Sequence, residues 1–240
     1  MRRSILACFA ILVLAVMAPF VSSVCWAQAP GVPGGMPLVV DMSKVKVGSW
    51  AEYKMTMGGI SLTSRWALVA RNKRSNTIEM TTQGGPVAKP MILRMVLNAD
   101  PTSDAKPPRP MVIQFGNEAP MFAPPETPAE KFQHPDPKDL IGQEEIKVAA
   151  GTFKTAHYRN KNEMGTVDVW VSDTVPPLGI VKVLTTPEND KSAPAAMQIP
   201  PATMELSAIG TGAKPAITKR PRRFDPKKMK GLVGAGAGAD

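Results

Sequence analysis

Apolar positions along this chain recur with a period of two rather than 3.6. Between residues 38 and 98 the runs PLVVDM, SWAEYKMTM, LTSRWALVARN, NTIEMTTQ and PMILRMVLN are short. Gly, Asn, Ser or Pro separates them, the punctuation of strands joined by tight turns. Gly58-Gly59 and the polar NKRSN at 72–76 read as hairpin turns. After residue 140 the texture returns. GQEEIKVAAG places Ile146 and Val148 on one face, and FKTAHYRNK alternates Phe153, Thr155 and His157 with Lys154, Ala156 and Tyr158. TVDVWVSD sets Val167, Val169 and Val171 against Asp168, Trp170 and Ser172; VPPLG is a turn, and IVKVLTT and TMELSAIGTG complete the series. Strands at such spacing, with no sustained helical period, predict an all-β fold. The expected form is a curved antiparallel sheet, a half-barrel or a sandwich, spanning 38–212.

The interruptions are as informative as the strands. Residues 28–37 (QAPGVPGGMP) read as a flexible leader. Residues 101–137 hold ten of the 25 prolines. Proline removes a ladder donor and fixes φ, which excludes a central strand there. The stretch reads as a crossover between two halves of one sheet in preference to a binding flap, with MVIQF at 111–115 as one edge strand. TPAEKFQ at 127–133 is the one weak helical segment. Residues 213–240 read as a disordered tail, first basic and Pro-broken, then Gly/Ala-rich, too poor in apolar surface to offset chain entropy.

The first residues change the setting. Arg2 and Arg3, an apolar run from Ile5 to Phe20 and the segment VSSVCWA make a secretory signal peptide over 1–27, with cleavage after Ala27. An uncleaved anchor and lipidation of Cys25 are the rival readings. The expected location is periplasmic or extracellular. Cys8 and Cys25 are the only cysteines. The mature chain is therefore expected to lack disulfides, thiolate metal sites and a cysteine nucleophile.

Charge looks diagnostic until it is divided. The chain carries 29 basic and 20 acidic residues, but eight of the basic ones lie between Lys214 and Lys230 beside one acid, Asp225. Removing those, Arg2, Arg3 and the terminal Asp240 leaves 19 basic and 18 acidic residues in 28–212, net +1. The basicity belongs to the tail, so nucleic-acid binding by the fold is not expected.

From Leu140 to Thr185 one pattern is distinctive: V-x-A-G-T-F-K-T at Val148–Thr155, a Gly turn at Gly165, D-x-W-x-S at Asp168–Ser172 and P-P-L-G-x-V-K at Pro176–Lys182. It resembles uncharacterised secreted bacterial proteins that are similar to the periplasmic lipoprotein-carrier class. The resemblance covers about a fifth of the chain. It implies a curved antiparallel half-barrel around an apolar cavity; the Pro-rich insertion, the basic tail and the missing covering helix are departures from it.

Catalytic chemistry finds little support in the residues. His134 lies in the Pro-rich stretch and His157 on a strand, without further ligands at zinc spacing. Ser172 precedes Asp173 rather than an elbow glycine. Glu163 and Asp168 flank a hairpin turn, as solvated carboxylates often do. The expectation is no enzyme, no metal and no cofactor. Trp50, Trp66 and Trp170 fall in predicted strands, as core residues or as anchors for an apolar ligand. Met55 and Met57 share a face, as do Met91 and Met95, suiting a deformable apolar lining or, less simply, soft copper(I). Lys219, Arg220, Arg222, Arg223, Lys227, Lys228 and Lys230 suit an anionic envelope surface, or serve solubility alone. The sequence thus predicts an exported, non-enzymatic protein binding a lipid or another apolar ligand, or an envelope partner. A structural or assembly protein of the envelope without a ligand cavity, and an enzyme with an unrecognised site, are the alternatives.

Overall fold

The computed structural model describes residues 36–37, 40–85, 87–100, 110–123, 132–162, 165–188 and 200–224. The expected signal peptide, Lys227, Lys228, Lys230 and Glu163 lie outside these. The fold is all-β, one large antiparallel sheet not closed into a barrel. In chain order the strands are β1 (Met36–Pro37), β2 (Trp50–Met57), β3 (Ile60–Arg71), β4 (Ser75–Gly84), β5 (Val87–Asn98), β6 (Val112–Phe115), β7 (Met121–Phe122) and β8 (Phe132–Gln133). After a 3-10 turn at Pro137–Asp139 come β9 (Leu140–Val148), β10 (Gly151–Asn162), β11 (Gly165–Val171), β12 (Ile180–Pro187) and β13 (Ala202–Gly210).

The sheet has eleven strands in the order β7-β6-β5-β4-β3-β2-β13-β12-β11-β10-β9. Two meanders thus meet where β13 pairs antiparallel with β2. β7 and β9 are the opposite edges of the sheet, and the chain that joins them includes residues 124–131, outside the described residues. MVIQF, expected as an edge strand, supplies β6 one strand in from the edge, because Met121–Phe122 pairs outside it. β1 and β8 form a separate two-residue parallel pair.

Alternation sorts the side chains of the sheet onto two faces. One carries Tyr53, Trp66, Leu68, Ile78, Met80, Leu93 and Met95 from the first meander. Val167, Val169, Val171, Val183, Met204 and Leu206 continue it through the second, and all of these are buried. A single sheet buries one face this thoroughly only by curling. Five register shifts do so, between Leu68/Ala70, Thr82/Gly84, His157/Tyr158, Trp170/Val171 and Leu206/Ala208, since each extra residue bends its strand. The Tyr53 hydroxyl of β2 donates to the Ile180 carbonyl of β12 at 3.1 Å, across β13. Ala150 N–H, in the β9–β10 turn, reaches the Leu206 carbonyl of β13.

Three further expectations need correction. Of the described residues of the first run, PLVVDM, only Pro37 is strand, at the end of β1, and residues 40–49 are turns and irregular chain. There the Asp41 carboxylate accepts from Ser43 N (3.0 Å) and Oγ (2.7 Å). The Arg71 guanidinium takes the carbonyls of Met42, Ser43 and Val45, so these acceptors need no strand partner. Within the supposed helical segment 127–133, Phe132–Gln133 is the short strand β8.

The third correction concerns the tail: the fold extends past residue 212 to Phe224. Thr211–Phe224 forms a strap over the face opposite Tyr53. Its path follows one line of directly opposed residues, Gly210–Trp50–Ala67–Glu79–Arg94–Val112–Phe122, on seven neighbouring strands. Trp50 Nε1 donates to Thr211 O at 3.3 Å. The Glu79 carboxylate, 3% exposed, accepts from Ala216 N (2.6 Å) and Ile217 N (3.3 Å), and Arg94 donates both to Glu79 and to Ile217 O. Ile217 packs on Ile92, Val112 and Phe122. At the edge, Phe122 N–H donates to Arg222 O and Arg222 N–H to Pro120 O, both at 2.9 Å. The expected disorder of 225–240 lies outside the described residues.

Candidate functional site

Three features of the sheet carry chemistry: an apolar rim, a polar node and the cations of the strap. The rim lies at the β2–β3 hairpin end of the Tyr53 face. Met55 stands opposite Met204 and Leu62; Met57 stands opposite Ala202 and Ile60. Met204 is buried, Met55 and Leu62 are half-buried, and Met57 and Ile60 are 45% and 42% exposed. On β5, half-buried Met91 pairs with half-buried Phe115. Thr82 and Ser64 separate Met91 from the hairpin. At the hairpin the apolar surface runs from buried Met204 through Met55 and Leu62 to exposed Met57 and Ile60, and unbranched thioethers form much of it. Such side chains re-pack around irregular apolar shapes at small cost.

The tryptophans do not join this rim. Trp66 shares its face but is buried, its Nε1 donating to Ser64 Oγ at 3.1 Å. Trp50 and Trp170 alternate onto the other face. Trp50 is sandwiched between Gly210 and the Arg65 guanidinium, the latter 3.8 Å from its ring centroid. Trp170 stacks on His157 at 4.2 Å between ring centroids. Of the five residues expected to contact an apolar ligand, the structure gathers Met55 and Met57 at the rim and assigns each tryptophan another partner.

The polar node was not foreseen. The β10–β11 register sets Arg159 opposite Asp168 and His157 opposite Trp170, while Thr155 faces Glu144 on β9. His157 consequently sits between two carboxylates, Nε2 at 2.7 Å from Asp168 Oδ1 and Nδ1 at 3.0 Å from Glu144 Oε1. Arg159 Nε donates to the same Asp168 oxygen at 2.7 Å, and Trp170 Nε1 to the same Glu144 oxygen at 2.6 Å. Asp168 is 5% exposed and His157 8%. Lys182 lies 5.7 Å from the Trp170 ring and pairs with Glu205 at 2.6 Å. Both ring nitrogens thus lie within 3.0 Å of a carboxylate oxygen inside the sheet, and both are screened from an incoming substrate by those side chains. The node is built as a clamp across β9, β10 and β11.

Other candidate chemistry is absorbed in the same way. Ser172 Oγ shares a hydrogen bond with Thr174 at 2.9 Å, and His134 is exposed on irregular chain. Among the described residues no group of three or more His, Cys, Asp or Glu is arranged to hold a metal.

The strap gathers four cations within five residues. Lys219, Arg220, Arg222 and Arg223 are all exposed, between and beside the anchors at Ile217 and Arg222. Lys44 pairs with Asp41, Lys89 with Glu118 and Lys138 with Asp136, while exposed Lys46, Lys54, Lys73, Lys147, Lys154 and Lys161 are spread singly along the chain without such a pair among the described residues. The four strap cations have no acidic partner among the described residues. No protein-family model matches this chain, and no curated protein does either.

Proposed function

We propose that this is an exported, non-enzymatic binding protein of the periplasm or extracellular space that takes an apolar, lipid-like ligand at the methionine rim. The observation that carries the reading is the continuity of one apolar face from buried Met204 through Met55 and Leu62 out to exposed Met57 and Ile60. Exposed apolar area continuous with a core marks binding surface more often than scattered single residues do. The resemblance of residues 140–185 to proteins of the lipoprotein-carrier kind points the same way, and the apolar start of the chain supports export. The hydrogen-bonded state of His157 and Ser172 speaks against hydrolytic chemistry.

A second reading, an envelope assembly protein without a ligand cavity, is favoured by the outer strand β9. Among the described residues β9 is paired on one side only, and it exposes Leu140 and Ile141 at 43% and 57%. Uptake of N-phenyl-1-naphthylamine separates the two. The rim predicts saturable fluorescence enhancement that Met57→Ser/Ile60→Ser lowers at least about tenfold in affinity, the two side chains each burying about 1.5 kcal/mol or more on a ligand. Absence of saturable uptake, or equal uptake by the double variant, rejects the rim as a ligand site.

A further inference from the structure

The strap makes a fixed cationic surface, and we infer that this surface docks the protein onto an anionic lipid bilayer. Four basic side chains within five residues, Lys219, Arg220, Arg222 and Arg223, would be unremarkable on free chain. Here the backbone beneath them is held on both sides. Ile217 is gripped by Glu79 and Arg94. Arg222 is bonded through its own N–H and carbonyl to Pro120 and Phe122. Pro221 adds a fixed φ between the pairs of cations. The cations are thus displayed at set positions, and less conformational freedom is lost when they meet an opposite charge.

Among the described residues no acid neutralises them. Glu79, the acid nearest the strap backbone, spends its carboxylate on Arg94 and two amides. The remaining described acids leave the four cations unpaired. Clustered Lys and Arg without competing acids are what an anionic headgroup surface attracts. A nucleic acid fits less well, because strand-tracking grooves interleave cations with exposed aromatic platforms and the strap carries only half-buried Phe224. The bilayer assignment rests on the proposed export to an envelope compartment. It does not rest on the methionine rim, so failure of dye uptake and failure of docking are separate results.

Co-sedimentation of the purified protein with vesicles tests it. With equal parts phosphatidylglycerol and phosphatidylcholine, binding is expected in low salt and lost at high salt, because screening shortens the reach of the charges. Pure phosphatidylcholine vesicles are expected to sediment little protein. Lys219→Ala/Arg220→Ala/Arg222→Ala/Arg223→Ala lowers partitioning about a hundredfold or more with an unchanged circular dichroism spectrum. A chain ended after Phe224 keeps most of the binding. The inference is overturned by a quadruple variant that binds like the parent, by equal binding to phosphatidylcholine alone, or by a single-stranded oligonucleotide that binds more tightly than the anionic vesicles at the same salt.

Discussion

Glu79→Ala is the most informative single substitution, because one buried carboxylate holds both the sheet and the strap. It sits 3% exposed on β4, with the Arg94 side chain 21% exposed opposite it on β5. Removing one partner of a buried ion pair costs about 3–5 kcal/mol, and the partial exposure of Arg94 favours the lower end. The strap supplies a separable share. Ala216 N and Ile217 N both lose an acceptor. Bonds to a charged group contribute about 1.5–3 kcal/mol each, but the second is long at 3.3 Å and Ala216 can turn to water, so about 2 kcal/mol is the expected coupling. The full chain should lose about 4 kcal/mol, or about 8–16 °C in Tm for a domain of this size. In a chain ended after Gly212, where the pair is already open to solvent, the same substitution should cost about 2 kcal/mol less. Urea unfolding followed by tryptophan fluorescence on the four proteins of that cycle gives the coupling, and amide exchange at Ala216 and Ile217 localises it. Equal destabilisation in both backgrounds, within about 0.5 kcal/mol, would refute the idea that Glu79 anchors the strap.

Two further outcomes follow from the packing. Gly210→Ala should destabilise by about 1–3 kcal/mol, since its Cβ would lie 2.5 Å from Cζ2 of a Trp50 ring that Arg65 holds from the other side. Gly142→Ala, with nothing within 4 Å, should stay within about 0.5 kcal/mol in the same thermal melt. Burial pushes the Tyr53 phenol well above its ordinary value. The folded state therefore retains this proton after the unfolded state, with a phenol near pKa 10, has begun to lose it. Stability is unaffected below about pH 10 and falls as pH rises beyond it. Absorbance at 295 nm should show Tyr53 ionising only together with loss of the circular dichroism signal; reversible ionisation of both tyrosines before unfolding would contradict its burial.

The strands were legible because each reports its own face. Val167, Val169 and Val171 needed no tertiary knowledge to be placed on one side and Asp168 and Trp170 on the other, and Gly58-Gly59 marked its hairpin unaided. The node was hidden because it is a property of register. Composition shows one histidine among threonines and lysines. Only after the turn between Asn162 and Gly165 fixes which residues oppose each other do His157, Arg159, Asp168 and Trp170 converge. The segment preceding β2 misled because Arg71, distant in sequence, satisfies carbonyls that otherwise demand a strand. The strap was missed for a related reason. With Ile217 as its one fully buried apolar anchor, its composition reads as unfolded, and its remaining attachments are backbone groups bonded to Glu79, Arg94, Pro120 and Phe122. The available sign lay elsewhere, in a glutamate and an arginine within the apolar runs NTIEMTTQ and PMILRMVLN, charges that needed a partner on that face.

The strap also makes the sheet unequal at its two ends. At β7 the outward N–H of Phe122 is already taken by Arg222, whereas among the described residues the nine-residue β9 is paired on one side only. A ribbon that accepts strands at both edges can lengthen indefinitely, copy upon copy. A ribbon sealed at one edge cannot: two molecules joined through β9 would present only their β7 ends outward. By bonding its C-terminal segment to Pro120 and Phe122, the chain makes the β7 end a poorer template for an added strand than the β9 end, so strand-to-strand association would favour a closed pair through β9 over an open filament.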